Sequence, residues 1–191
     1  DIYVNDAYHS LSIEGYSVTE ELIEQVRQGS FDPLGNPVHQ QNVDALAARG
    51  YWQAFQAVRA SLEKLLGGAP AGKIVRGSRH TPPRVEAIAD GMDALFDRLQ
   101  EEESAAVRAV LGHWLLGYIH PYPDGNGRIA RFLMNAMLAS GGYSWTVIDV
   151  EHRTDYMTAL EAASVEGAIT QFAELILDRL KWSEDLPMRS H

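Results

Sequence analysis

What most limits the folds open to this chain is a succession of apolar stripes with helical spacing, each closed by glycine or proline. Val85, Ile88, Met92, Leu95, Phe96 and Leu99 step by three and four, and so do Val107, Val110, Leu111, Trp114, Leu115 and Tyr118. Such steps gather side chains on one face of a 3.6-residue helix and would scatter them over both faces of a strand. A longer stripe runs from Val43 to Leu66 and stops at Gly67-Gly68; another runs from Ile129 to Met137 and stops at Gly141-Gly142. Two last helices fit Tyr156 to Val165 and Ile169 to Leu180. Near the start, Ser17 and Thr19 supply helix-start chemistry. Thr19 can cap a helix opening on Glu20-Glu21, with Gly29 near its end. The exception is AGKIVRGSRHTPP, which leans to β at Ile74-Val75 between glycines and prolines and predicts a small hairpin or extended flap. A mainly α helical bundle with one small β element follows.

The 191 residues fit one domain with a core, since 46% are hydrophobic and 22% charged. A formal net charge of −10 argues against a general nucleic-acid surface or an anionic-membrane surface, because either needs a basic field. A few local arginines can still build an anion site. With no cysteine, disulfides and thiolate zinc sites are excluded, which suits a reducing compartment, and a cytoplasmic location is expected. No apolar run approaches the roughly 20 residues of a membrane span. The start carries no signal-peptide pattern, and it opens on Asp1 rather than Met, as an excerpt of a longer protein would. The oligomeric state stays open, a homodimer included.

The chemistry concentrates in IHPYPDGNGRIAR, residues 119 to 131, between two apolar helices. Pro121 and Pro123 stiffen the segment. Gly125, Asn126 and Gly127 can adopt positive φ and bring backbone N–H groups close to a ligand. A helix starts directly after them, and a glycine-rich loop feeding a helix N-terminus attracts anions through exposed N–H groups and the helix dipole. Arg128 and Arg131 stand three apart on one helical face, and two guanidinium forks beside such a nest suit a polyphosphate. Asp124 offers a hard carboxylate oxygen for Mg²⁺, which usually takes one or two carboxylates plus substrate phosphates. His120, with an ordinary pKa of about 6.5, can take a proton from an attacking hydroxyl. Each element alone is common loop punctuation; together they are not.

HPYPDGNGRIAR resembles the signature of the Fic-domain family, His-Pro-Phe-x-(Asp/Glu)-Gly-Asn-Gly-Arg-x-x-Arg, with Tyr122 in place of phenylalanine. The resemblance implies the Fic fold and protein adenylylation: transfer of AMP from Mg·ATP to a Ser, Thr or Tyr hydroxyl of a target protein. On that pattern His120 is the base and Asp124 holds Mg²⁺. Gly125, Asn126 and Gly127 form the anion hole, Arg128 binds phosphates and Arg131 binds the γ-phosphate. Kinase-like relatives carry lysine where Gly127 stands, and phosphocholine-transferring relatives break the loop at its first glycine. Neither change is present, which favours AMP transfer. The family's flap pairs with the target as an added strand, and here it should lie within residues 73–83. Tyr156 resembles a family position near the adenine.

SLSIEGYS contains a second resemblance. Ser10-Leu11-Ser12-Ile13-Glu14-Gly15 matches the family's inhibitory pattern, (Ser/Thr)-x-x-x-Glu-(Gly/Asn). Ser10 and Glu14 lie four apart and share a helix face, and Gly15 can end a short helix as a left-handed residue. The pattern implies that Glu14 pairs with Arg131 where the γ-phosphate belongs, through a partly buried, bidentate contact. The resulting division is an N-terminal segment, 1–30, carrying this motif; a catalytic domain, 31–182; and a polar tail, 183–191. An autoinhibited adenylyltransferase is the leading reading. Removal of AMP from a modified protein, with Glu14 positioning water, uses the same residues. A nucleotide-sensing module in which chemistry is vestigial is a third reading, against which the intact His120 argues. A metal-dependent hydrolase would need more ligands than Asp124 and His120, and His113, Glu151 and His152 show no recognised metal spacing.

Overall fold

The computed structural model describes residues 2–30 and 77–185. The helix expected over 43–66 and residues 73–76 of the expected flap lie outside them. Seven helices occur among the described residues: α1 (Ile2–Ile13), α2 (Glu20–Arg27), α3 (Val85–Glu101), α4 (Ala105–Ile119), α5 (Asn126–Ser140), α6 (Arg153–Glu161) and α7 (Thr170–Asp185). A 3₁₀ turn, Val150–His152, leads into α6, and a π turn, Ala162–Glu166, leaves it. No strand occurs among the described residues, where 77–84 is turn and extended chain leading into α3. None of the described helices is long and apolar enough to cross a membrane.

Local chemistry sets the helix ends. Thr19 accepts a hydrogen bond from the Leu22 N–H at 3.2 Å and caps α2. Ser104 accepts one from the Val107 N–H and caps α4. At the end of α1, Gly15 has φ +90°. Its N–H reaches the Ser12 carbonyl, and the Tyr16 N–H reaches the Leu11 carbonyl, the paired bonds of a Schellman stop. The Arg153 Nε takes the Ile13 carbonyl at 2.8 Å, placing a cation at the negative end of α1.

The centre of the molecule is α4 against α5. Gly112 makes their close approach work: a β-carbon there would stand 3.3 Å from Leu133 and 3.4 Å from Leu99. The buried side of α4 is Ala105, Ala109, Gly112, His113, Leu116 and Ile119. That differs from the expected stripe, whose Val107 is 41% exposed. The helix is apolar nearly all round, so periodicity could not choose its inner face; the small residues face α5 because they let the backbones approach. Val107, Val110 and Leu111 instead line a surface groove of about 370 Å³ against α7.

The N-terminal segment is packed into the body. Ile13 joins the cluster of Met134, Ile148, Tyr156 and Phe172, while Tyr3, Ala7, Leu11 and Ile23 pack with Phe132. Burying such side chains stabilises by roughly 1.5–3 kcal/mol each relative to exposure. Polar contacts add direction: the Trp145 Nε1 donates to Asp6, and the Val150 N–H donates to His9. At the other end α7 continues through Asp185, three residues into the stretch expected to be loose, and the Ser183 hydroxyl accepts from the Val147 N–H.

Candidate active site

His120 is the C-cap of α4 and stands in the left-handed region, φ 52°, the one non-glycine residue among those described with positive φ. That conformation turns the chain sharply out of α4 into the Pro121–Gly125 loop. The His120 Nδ1 lies 3.3 Å from the Gly117 carbonyl. A carbonyl only accepts, so Nδ1 carries the hydrogen and Nε2 keeps its lone pair. Burial is the largest influence on His120 and pushes its pKa below the ordinary value, with nearby His80 acting in the same direction. The ring is therefore neutral at physiological pH and able to accept a proton.

The loop is braced from inside. Asn126 is 3% exposed, and its amide spans the turn, accepting from the Tyr122 N–H at 2.9 Å and donating to the Tyr122 carbonyl at 2.7 Å. The side chain thus shapes the loop, and what Asn126 can offer a ligand is its backbone N–H in the first turn of α5. N–H groups of a first helical turn have no intrahelical partner. Gly125 caps α5 at φ 81°, and a β-carbon on it would crowd the Arg128 guanidinium at 3.1 Å. Tyr122 is buried.

Arg131 is only 3% exposed. Its Nε donates to the Ser10 hydroxyl at 2.9 Å, and its Nη2 donates to the Ser10 carbonyl at 3.1 Å and to the Glu14 Oε1 at 3.0 Å. Its Nη1 meets the Tyr156 hydroxyl at 3.3 Å. Glu14 and Arg131 are thus joined across 117 residues of sequence. The expected two-pronged pairing is replaced by one carboxylate oxygen on Nη2, with Ser10 occupying the other side of the fork. Glu14 stands one residue past the end of α1, and its side chain is 25% exposed.

Asp124 and Arg128 hold each other at 2.7 Å, with Asp124 69% exposed and Arg128 largely covered. Tyr16 sits beside them, its ring 5.6 Å from the Arg128 guanidinium and its hydroxyl 3.5 Å from Asp124. Nothing in the sequence marked Tyr16 beyond its place after Gly15. Tyr156 departs from expectation. Its ring is buried in the core, packed near Phe172 and His113, so it offers no face to an adenine. It reaches the site only through its hydroxyl on Arg131.

Two further residues join the site's border without a sequence signal. His80, buried, holds the Tyr118 carbonyl at 2.8 Å with its Nε2 and stacks on the Tyr118 ring. Glu161, at the end of α6, accepts from the Ser78 hydroxyl and from the Arg79 N–H at 2.9 Å, fixing the approach to α3. Among the described residues no group of three or more His, Cys, Asp or Glu could hold a metal ion alone.

The sharp turn at His120, the glycine-rich loop after it and the two arginines on the first turns of α5 together mark out the class of this helical protein. The chain belongs to the Fic/DOC family, whose family model matches residues 19–138. A protein named protein adenylyltransferase Fic from Nematostella vectensis is 29% identical over 92% of this chain and 46% of its own length. One of the same name from Drosophila willistoni is 27% identical over 97% of this chain and 42% of its own length. The chain thus spans less than half the length of these relatives. Among solved structures, Fic-1 (residues 134–508) from C. elegans superposes with a TM-score of 0.77 at 22% identity, covering 96% of this chain and 61% of that one. A Fic domain containing signaling protein from Bacteroides thetaiotaomicron gives 0.72 at 18% identity, covering 95% and 84%. These structural likenesses show the fold.

Proposed function

We propose that this protein transfers AMP from Mg·ATP to a hydroxyl side chain of a target protein and that its N-terminal helix holds the reaction off. The reading rests on the signature loop with its neutral His120 and on the relatives named protein adenylyltransferase. The inhibition rests on one observation, the capture of Arg131 by Ser10 and Glu14.

In the reaction the target hydroxyl oxygen attacks the α-phosphorus, and its proton passes to the His120 Nε2. The bond from the α-phosphorus to the bridging oxygen breaks, and pyrophosphate leaves. Catalysis of this kind is mostly positioning and charge neutralisation. The N–H groups at the start of α5 and the Arg128 guanidinium face the phosphates, and Asn126 keeps the loop in the shape that presents them. Arg131 serves the γ-phosphate only after Glu14 withdraws. Asp124 fits Mg²⁺ as a single exposed carboxylate next to the anion site, the pattern of an ion that arrives with its nucleotide. Mg²⁺ bound there would neutralise phosphate charge, and Arg128 must first release Asp124. The target would dock along the flap near 73–83.

The experiment is labelling in a cell lysate with ATP carrying a labelled α-phosphate. Glu14→Gly should label protein far more strongly than wild type. Glu14→Gly combined with His120→Ala should bind ATP and label nothing. Equal labelling with and without His120 overturns the proposal.

A further inference from the structure

His113 is a histidine in the wrong company. It lies in the middle of α4, 1% exposed, with its ring 4.9 Å from Phe172. Burial and then the charge of Arg131 push its pKa down to about 3, so the ring is neutral. Its Nδ1 is buried with no hydrogen-bond partner among the described residues. A leucine would occupy such a place without leaving a polar atom unpaired, so the histidine needs an explanation in what its other nitrogen does.

That nitrogen, Nε2, lies 3.0 Å from the Tyr156 hydroxyl, which lies 3.3 Å from the Arg131 Nη1. The direction of this chain follows from donor count. A guanidinium can only donate, so the Tyr156 oxygen accepts from Arg131 and sends its own hydrogen to the His113 Nε2. The lone pairs of the phenol are thereby turned towards the guanidinium. Burial holds Tyr156 above its ordinary pKa, so the hydroxyl keeps its hydrogen. The Tyr156 ring also lies 6.0 Å from the Arg131 guanidinium.

Arg131 is thus gripped from two sides of different kinds. Ser10 lies in α1 and Glu14 one residue past its end, and both must leave for ATP to bind productively. Tyr156 and His113 belong to α6 and α4, in the core, and stay. We infer that His113 and Tyr156 are positioning residues for Arg131, the imidazole orienting the phenol and the phenol aiming the guanidinium at the terminal phosphate after the N-terminal helix withdraws. The inference rests on the nucleotide-transfer reading above.

The test is calorimetric binding of ATP and of ADP to Glu14→Gly, and to the same protein carrying Tyr156→Phe, His113→Leu or His113→Gln. Arg131 addresses the γ-phosphate, so its aim is read in the ratio of ATP to ADP affinity and not in either alone. Glu14→Gly should prefer ATP. Tyr156→Phe and His113→Leu should each reduce that preference about tenfold or more, the lower end of the worth of one charge-assisted hydrogen bond, and leave ADP affinity unchanged. His113→Gln, which can put an amide oxygen near the position of Nε2, should restore much of it. A merely structural role would weaken both nucleotides together. An unchanged ratio in Tyr156→Phe, beside a parent that prefers ATP, overturns this inference alone. A parent with no preference for ATP overturns the nucleotide reading with it.

Discussion

A β-carbon built on Gly127 would lie 2.3 Å from the Glu14 Oε1, so glycine at 127 makes the room that Glu14 occupies. The same β-carbon would stand 3.3 Å from the Arg131 Nη1. Gly127 lies in the first turn of α5 without a positive φ, so alanine there meets no backbone strain. Helix propensity alone favours alanine by about 1 kcal/mol. Glu14 is the far end of a flexible side chain and can swing away, but only by leaving Arg131.

Gly127→Ala should therefore destabilise the wild-type protein, because the lost ion pair outweighs the propensity gain. In the Glu14→Gly background the same change should raise stability by up to about 1 kcal/mol, since the collision is gone. Thermal unfolding of the four proteins in the cycle reads this reversal of sign. The same sign in both backgrounds would show that the two residues do not share that space.

Ser10→Ala removes the hydroxyl that accepts from the Arg131 Nε and leaves the Ser10 carbonyl and Glu14 in place. A hydrogen bond to a buried charged group is worth roughly 1.5–3 kcal/mol. The variant should lose stability of that order. Its labelling by α-labelled ATP should fall between wild type and Glu14→Gly. Labelling no higher than wild type would mean that Glu14 holds Arg131 without help from Ser10.

Arg153→Ala should loosen the end of α1 without touching the loop. It removes the cation from the Ile13 carbonyl, one residue before Glu14. Amide exchange in α1 should speed up while exchange in α5 stays as in wild type, and labelling should rise. Unaltered exchange at residues 10–16 would count against a role for this contact.

His113 makes stability depend on pH in a predictable direction. Its pKa is about 3 in the folded protein and about 6.5 in an unfolded chain. Between these values the unfolded chain binds a proton that the folded one does not, so His113 lowers stability as pH falls from 6.5 towards 3. The slope for one such group is about 1.4 kcal/mol per pH unit. His113→Gln removes it. Urea unfolding of both proteins across that range should show wild type losing stability faster on acidification. Parallel curves would contradict the assignment.

Much of this was readable in the amino-acid order, for reasons that particular residues make plain. Gly15 and Thr19 act within a turn of their own positions, so local pattern was enough for the end of α1 and the start of α2. Ser10, Glu14 and Arg131 were readable only through their resemblance to a known pattern, since 117 residues separate the ionic partners. The inner face of α4 was not readable, because an all-round apolar helix carries no directional signal. Nor were the pairings of His113 with Tyr156, 43 residues apart, and Ser78 with Glu161, 83 apart, which exist only once the helices have packed. Asn126 opens α5 two residues before the helix start expected at Arg128, and its side chain turns inward, because a buried turn must satisfy its own backbone first.

The end of α1 presents Arg131 with three oxygens: the Ser10 hydroxyl, the Ser10 carbonyl and the Glu14 carboxylate. Under the proposed function these oxygens stand in for a terminal phosphate, assembled at one helix end and tethered to the arginine they occupy. A tethered competitor acts at an effective concentration set by geometry, commonly millimolar for short flexible links and fixed by the fold for a packed helix. Its grip is independent of how dilute the protein is, and nucleotide supply alone opposes it only within the range that geometry allows. On that proposal, whatever switches the molecule on acts most directly by prying at the helix, at contacts such as Asp6 with Trp145 or Ile13 with Arg153, well away from the phosphates.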